Sequence, residues 1–576
     1  MEAREKSFKS IMQESNFIQI PFFQRKYVWK RENWEQFFDD LKNSYETKKE
    51  HFLGPVIFKR YSGDKSYLNL IDGQQRLTTF SILAKVICEN MEKDNQKYFR
   101  DYFIESYTEN KSRIKHSELD SKEYNMIIQK PESIAKKNDK DIKEGITDCY
   151  LYFSSRINEI DDKCEFLKFI SDDSKLFVTV FIQESEDEQK IFDSINSTGM
   201  PLNAADIIKN AIFDRVIKLK GEETAKELYN TYWENVFLKD EEERKFWDSE
   251  ILTSHIRRTQ IEIFLHAFAL IEGFFNIEED NISKLSYLYK AYIKDKDIDF
   301  LNEMLNKIFK YAKTYRKFPI ISKDTLFNYD ETENRFFLLV NEYNISVFLP
   351  LILFLKHNLD KKEYLKNLYL IEILLLCNHE TKGYNKFVAK LIKDIKENLK
   401  NSHHIILKQI KKSYGKILQK DNIEKDWLNC ILNKDATFIL FWIELFREYK
   451  QKDYKDRVVG LNFIYTLEHL APQDWEENWK DVFKDDDEAY KFIYKIGNMT
   501  LLKRRLNSAL RNSTWDKKIN GDGKAKNFIS KYADLELNKE LVKKPKWDKK
   551  EIENRTKEII NDFYNIWDVD IFKEEK

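Results

Sequence analysis

Apolar residues recur at three- and four-residue intervals from about Lys209 to Lys455, as in Ile261, Phe264, Leu265, Phe268 and Ala269, and again in Leu365, Leu368, Ile371, Leu374 and Leu375. That period puts them on one face of an α-helix, so the centre of the chain is confined to helical bundle. Chain-breaking residues are correspondingly scarce, with 13 glycines and 8 prolines among 576 residues. No Gly/Ser linker or internal repeat is visible, and domains are expected to join through helices rather than tethers. The aromatic and leucine stripes read as core. Neither His266 nor the pair His403 and His404 has metal-ligand company, so the bundle is assigned no chemistry.

A chain this long exceeds one core, and about three or four domains are expected. Its 98 basic and 99 acidic side chains leave a net charge of −1, so any contact with nucleic acid must be local. The first residues, Met-Glu-Ala-Arg-Glu-Lys, contain no apolar signal region, and the most apolar stretch, Phe336 to Leu355, is interrupted by Asn341, Glu342, Asn344 and Pro350. No membrane partner is expected, and the chain is placed in the cytoplasm. Cys88, Cys149, Cys164, Cys377 and Cys430 stand singly. They read as buried reduced thiols, not as a zinc site or a disulfide framework.

Chemistry concentrates near the C-terminus. A β-rich run, Phe463 to Leu467, leads into Glu468-His469-Leu-Ala-Pro472-Gln473; Ile496-Gly497-Asn498-Met-Thr500-Leu501-Leu502 and Asn507 follow. Phosphodiester hydrolysis needs a base for water and a cation at the phosphate. His469 suits the first task because imidazole titrates near neutral pH. Glu468 and Asn507 offer hard oxygen atoms of the kind that hold Mg²⁺, and Asn498 is expected to orient the imidazole through its amide. Lys503, Arg504, Arg505 and Arg511 bracket Asn507, Lys517 and Lys518 follow, and all six are candidates for phosphate contacts. From Lys503 to Lys550, basic residues interleave with Trp515, Phe528, Tyr532 and Trp547; this reads either as a nucleic-acid surface or as a solvated face.

A second set of motifs lies near the N-terminus. It comprises Ile20-Pro21-Phe22-Phe23-Gln24-Arg25-Lys26-Tyr27-Val28-Trp29, then Leu70-Ile71-Asp72-Gly73-Gln74-Gln75-Arg76-Leu77-Thr78-Thr79, then Phe192-Asp-Ser-Ile-Asn196-Ser-Thr-Gly199-Met-Pro-Leu202. A strand from Ser66 to Ile71 is expected to turn at Asp72-Gly73 into an apolar helix reaching about Cys88. The unpaired N–H groups at such a helix start, with its dipole, favour phosphate. Arg25 and Arg76 can fork onto phosphate oxygens, Gln24, Gln74 and Gln75 can read sugar or base, and Asp72 can hold Mg²⁺ or polarise water. Asn196 and Gly199 would close over the ligand from a loop. Taken alone, Asp-Gly-Gln-Gln-Arg reads first as an ordinary turn capping a helix.

The C-terminal arrangement resembles the His-Me finger, or HNH, nuclease motif, although many such enzymes carry Asp where Glu468 stands. In detail, with Gly-Asn-x-Thr-Leu-Leu, Asn512, Trp515 and Lys517-Lys518, it is similar to the nuclease domain of GmrSD-type modification-dependent restriction enzymes. The N-terminal motifs, with Phe52-Leu-Gly54-Pro-Val-Ile between them, resemble the N-terminal domain of the same family, a ParB/sulfiredoxin-like fold that hydrolyses nucleoside triphosphates through the Gln24-Arg25 and Asp72–Arg76 segments.

The resemblance implies a mixed, helix-rich, multidomain protein: an α/β ParB-like module at 1–215, a helical region at 216–425, and an α+β HNH (ββα-metal) domain at 426–576. It implies a nucleotide-regulated, Mg²⁺- or Mn²⁺-dependent endonuclease that cuts modified or phage duplex DNA. His469 would be its base, Asn498 the group orienting that base, Glu468 and Asn507 the metal ligands, and Asp72 and Arg76 the catalytic pair at the triphosphate. The alternatives are a nucleotide switch that binds DNA without cutting and an abortive-infection nuclease acting on host DNA or RNA. The choice among GTP, ATP, CTP and UTP, the modification recognised and the formation of a homo-oligomer stay open.

Overall fold

A computed structural model describes residues 2–59, 67–100, 102, 112–182, 203–253, 256–378, 383–428, 430–451, 460–522 and 527–573. The chain divides into two compact units, one formed by 1–234 with 289–302, the other by 235–288 with 303–576.

The first unit holds a six-stranded mixed sheet. Its strands are β1 (Glu2–Lys6), β2 (Phe17–Gln19), β3 (Gly54–Lys59), β4 (Tyr67–Asp72), β5 (Ile114–Lys115) and β6 (Phe177–Ile182), in the spatial order β1-β6-β3-β4-β2-β5. β3 is buried along its whole length, parallel to β6 and antiparallel to β4. That central position suits its apolar Val56, Ile57 and Phe58. β4 ends at Asp72, and the Gln74–Glu89 helix begins two residues later. Gly73 makes the reversal at φ 92°, a value that side chains disfavour. A Cβ there would also stand 3.1 Å from the Pro55 carbonyl oxygen.

Nearly every residue of the Gln74–Glu89 helix is buried, and Leu77, Phe80, Leu83, Ala84 and Ile87 join the core. The Arg31–Thr47 helix turns Trp34, Phe37, Phe38 and Leu41 inward at three- and four-residue spacing. Tyr27 ties the first motif to that core. Its N–H donates to Asp120 Oδ2 at 2.7 Å, and its hydroxyl meets Thr79 Oγ1 at 2.5 Å and receives the Trp34 indole N–H at 2.8 Å.

The second unit is mostly helical. The expected stripes appear on the Gln260–Glu272 and Lys361–Cys377 helices, which bury Phe264, Leu265, Phe268, Leu368, Ile371 and Leu374. Short ribbons interrupt the bundle, where Glu250–Thr253 pairs with Ile256–Thr259 and Leu326–Phe327 with Leu461–Asn462. A buried ion pair sits in its core, with Arg335 Nε donating to Glu372 Oε1 at 2.5 Å and the Trp567 indole to the same oxygen at 2.6 Å. Cys88 and Cys149 are buried thiols as expected, whereas Cys430 is exposed. Among the described residues, no helix is long and apolar enough to cross a membrane.

Candidate functional site

In the second unit the strand Thr466–His469 pairs antiparallel with Met499–Leu502, setting Glu468 opposite Thr500 and His469 opposite Met499. The strand therefore carries both residues, beyond the Leu467 limit that composition suggested. Side chains alternate along a strand, so Glu468 shares a face with Thr466. Asn507, on the Arg504–Leu510 helix, reaches that neighbourhood: its Nδ2 donates to Thr466 Oγ1 at 3.0 Å and to the Leu467 carbonyl at 2.8 Å. Asn507 thus clamps its helix to the strand with its amide nitrogen, and Oδ1 is the atom left for a ligand.

His469 is half-buried, and its Nε2 is out of solvent with no hydrogen-bond partner. Burial, then the positive charge of Lys518, lower its pKa to about 4, so the ring is neutral at physiological pH. The Tyr494 ring meets it edge to face, centroids 5.7 Å apart.

Three expectations change here. Lys518 is not placed for phosphate: it is fully buried on the Trp515–Asn520 helix, and its Nζ donates to Glu468 Oε1 at 2.6 Å and to the His469 carbonyl at 2.9 Å. A desolvated ammonium demands such partners. Burial raises the Glu468 pKa and lowers that of Lys518, each opposed by the other's charge.

Asn498 does not touch the imidazole. Fully buried, it accepts from Ala471 N–H at 2.8 Å and the Trp547 indole at 3.0 Å, and donates to the carbonyls of Ala471 at 2.9 Å and Ile493 at 3.0 Å. All four amide valences are spent, so it fixes the backbone just beyond His469, not the ring. Trp515 and Trp547 are core residues too, stacked with centroids 4.9 Å apart. The remaining cations are placed for solvent. Arg504, Arg505 and Arg511 are exposed, while Lys503 and Lys517 pair with Asp534 at 3.3 Å and Asp522 at 2.9 Å.

Among the described residues, no group of three or more His, Cys, Asp and Glu side chains could hold a metal. The one carboxylate and one amide oxygen at Glu468 and Asn507 still fit Mg²⁺, which keeps most of its waters and takes only one or two protein groups. Lys518 shares the carboxylate through Oε1.

The first unit supplies a second site, a cavity of about 590 Å³ lined by Gln24, Arg25 and all of Asp72–Arg76. Here the glutamines hold the backbone. Gln74 Nε2 donates to the Arg25 carbonyl at 2.8 Å, Gln75 Oε1 accepts from Val28 N–H at 2.9 Å, and Gln24 Nε2 reaches the Ile71 carbonyl at 3.4 Å. They staple the first motif onto the turn of the second. Arg76 Nη1 donates to the Pro55 carbonyl at 2.8 Å, and Nη2 lies 3.3 Å from Asp72 Oδ2. Burial lowers the Arg76 pKa, opposed by Asp72 and aided by Arg25. No side chain caps the Gln74–Glu89 helix at Gly73. Asn196 and Gly199 lie outside the described residues.

Sequence reasoning missed part of the lining: Asn33, Gln36, Phe37, Asp40 and His51. Its signal was present in Asn33, Gln36, Phe37 and Asp40, which recur at three- and four-residue spacing on the Arg31–Thr47 helix.

The two sites, one lining the strand-turn-helix junction at Gly73 and one on a histidine-bearing strand pair, are the places where the chain gathers buried polar side chains. Residues 7–213 match the family model of the GmrSD restriction endonuclease, N-terminal domain, and residues 418–562 that of the GmrSD restriction endonucleases, C-terminal domain. The chain belongs to the GmrSD restriction endonuclease family. It is also 26% identical to reticulocyte-binding protein homolog 1 of Plasmodium falciparum (isolate 3D7) over 400 residues, 58% of this chain and 13% of that protein. The chain thus spans a small fraction of that relative's length.

Proposed function

We propose that this protein is an HNH-type, metal-dependent endonuclease, regulated by a nucleoside triphosphate, that cuts modified or invading duplex DNA in defence against phage. The observation that carries the nuclease reading is the placing of His469: a ring nitrogen, Nε2, with no hydrogen-bond partner, on the strand that also carries Glu468 and is clamped by Asn507. A neutral imidazole can take the proton of a water that attacks phosphorus. Asn507 Oδ1 and the Glu468 carboxylate would hold Mg²⁺ or Mn²⁺, which when bound neutralises charge at the phosphate and leaving oxygen. Lys518 fixes the Glu468 side chain and the His469 backbone, and Asn498 fixes the chain beyond them. Arg504, Arg505 and Arg511 supply exposed charge for the DNA backbone.

In the ParB-like first unit the triphosphate would lie over the Gly73 turn, with Gln74–Arg76 N–H groups and the Arg25 and Arg76 guanidinium groups as donors. Asp72, salt-bridged to Arg76, would hold the nucleotide's metal.

The test is incubation of wild-type and His469→Ala protein with Mg²⁺ and plasmid or phage DNA, modified and unmodified, with and without each nucleoside triphosphate. Nicks or breaks made only by the wild type are expected, with cleavage responding to one nucleotide. Intact DNA in every reaction, alongside nucleotide hydrolysis, would overturn the nuclease reading in favour of a DNA-binding switch.

A further inference from the structure

The face beside His469 carries an aromatic and cationic track that the hydrolytic chemistry leaves unused. Tyr490 and Tyr494 are four residues apart on and just beyond the Asp486–Ile493 helix, so both project to one side. Their rings lie 4.8 Å apart at 47°. Tyr494 in turn meets the His469 ring edge to face at 5.7 Å. Lys491 and Lys495 repeat the same spacing one position along, making a second row parallel to the first. Lys491 is exposed, and Lys495 Nζ stands 4.9 Å over the Phe492 ring and 3.9 Å from Glu553.

Two polar contacts hold the track in place. Gln473 Nε2 donates to the Tyr494 hydroxyl at 3.2 Å, and the Cys430 thiol lies 3.5 Å from the Tyr490 hydroxyl. Cys430, Tyr490, Lys491, Phe492 and Lys495 line an open depression of about 360 Å³. Yet Tyr490 is 57% exposed, a large ring left in water with its tip already hydrogen-bonded.

We propose that Tyr490 and Tyr494 form a stacking platform for an unpaired nucleotide adjoining the scissile phosphate, with Lys491 and Lys495 tracking its backbone. The inference rests on His469 being the nuclease base, because continuity of the rings with that imidazole places the occupant. Aromatic faces beside lysines, without a rigid hydrogen-bonding pocket, suit a single strand of any sequence. They would select the splayed end of an opened duplex over the paired helix.

The experiment uses the full chain with fluorescent oligonucleotides, single-stranded, fully duplex and duplex with a frayed tail, and follows binding by anisotropy and cutting by gel. Binding is measured in a His469→Ala background, so that no substrate is consumed. Tyr490→Ala should weaken binding of the single-stranded and frayed probes by about ten- to a hundredfold, the range for loss of one stacked base. Tyr490→Trp, with a larger stacking face, should restore it, and Lys491→Ala should lower the salt dependence by about one phosphate contact. An iodouracil-substituted frayed probe should crosslink to Tyr490.

Equal affinity of Tyr490→Ala and its parent for all probes, or a loss confined to the fully paired duplex, overturns the platform. A wild-type chain that cuts nothing but still loses single-strand binding on Tyr490→Ala overturns the nuclease reading, and with it the place beside a scissile phosphate, while the tyrosines stand as a single-strand binding surface. The two failures are thereby separated.

Discussion

His469 and its neighbours set how the reaction should respond to acid. Only the neutral ring accepts a proton, and burial holds its pKa at about 4. Cleavage should therefore stay level from about pH 8 to about pH 5, where an unperturbed imidazole near 6.5 would already be mostly lost. A pH–rate profile with its midpoint near 6.5 would show that the ring titrates in open solvent and would contradict the buried base. Stability should follow the same direction. His116, His266 and His469 are lowered by burial to about 3, about 4 and about 4, so between those values and about 6.5 the unfolded chain binds more protons than the folded one. Their contribution is present above about pH 6.5 and is lost as pH falls toward 4, which calorimetry across that window reads directly.

Lys518 carries the second residue-scale prediction. Lys518→Met would leave Glu468 buried and unpaired, at a cost of about 3–5 kcal/mol, whereas adding Glu468→Gln should recover most of the loss in urea unfolding. In sequence Lys517 and Lys518 look alike. Only the phase of a six-residue helix separates them, with Trp515, Lys518 and Ile519 inward and Lys517 outward, and spacing so short is easily overlooked.

At the scale of elements, the Gly497-Asn498 pair shows why a motif can be legible while its role is not. Both residues serve packing. A Cβ on Gly497 would collide with Thr556 Oγ1 and the Ile552 carbonyl of the Lys549–Ile566 helix. Arg555 of that helix donates to the Gly497 carbonyl at 2.8 Å and the Met499 carbonyl at 2.6 Å. Gly497→Ala should therefore cost about 1–3 kcal/mol by overpacking and lower cleavage only as far as it unfolds the domain. If folded Gly497→Ala protein lost all activity at full helix content, a direct catalytic part for this turn would replace the packing account.

The Glu536–Val542 helix offers a complementary case. Its N-cap, Leu535, caps nothing, and the Glu536 and Leu537 N–H groups donate instead to Glu444 at 2.7 and 2.9 Å. Burial raises the Glu444 pKa to about 7. The folded state thus holds a proton there that the unfolded state releases, so this group's contribution falls as pH rises from about 4.5 through 7. Glu444→Gln, which keeps one acceptor and cannot ionise, should remove that slope. No sequence rule reaches a cap supplied from ninety residues away, because propensity and spacing report only local partners.

For the molecule as a whole, local order in the chain decides what could be read. The β4–Gly73–helix unit lies within consecutive residues, and its strand, turn and helix start were legible for that reason. The Asn33-to-Asp40 face of the Arg31–Thr47 helix and the Tyr490–Tyr494 pair are regular in spacing, but which partner each face meets depends on chain reversals that no periodicity records. The same distinction shapes the test of regulation. Gly54 sits at φ 116° where a Cβ would collide with Arg76 Nη1, so Gly54→Ala must displace the guanidinium that joins β3 to Asp72.

A nucleotide at 100 times its dissociation constant should stabilise the chain by about 2.7 kcal/mol, visible as a raised melting temperature. Gly54→Ala should abolish that rise while His469→Ala keeps it. Nucleotide alters cutting only insofar as it binds two states of the protein differently. If it does, Gly54→Ala should cut plasmid at the nucleotide-free rate whether or not nucleotide is added. A Gly54→Ala protein whose cutting still responds fully to nucleotide would place the regulatory site somewhere other than the Asp72–Arg76 cavity.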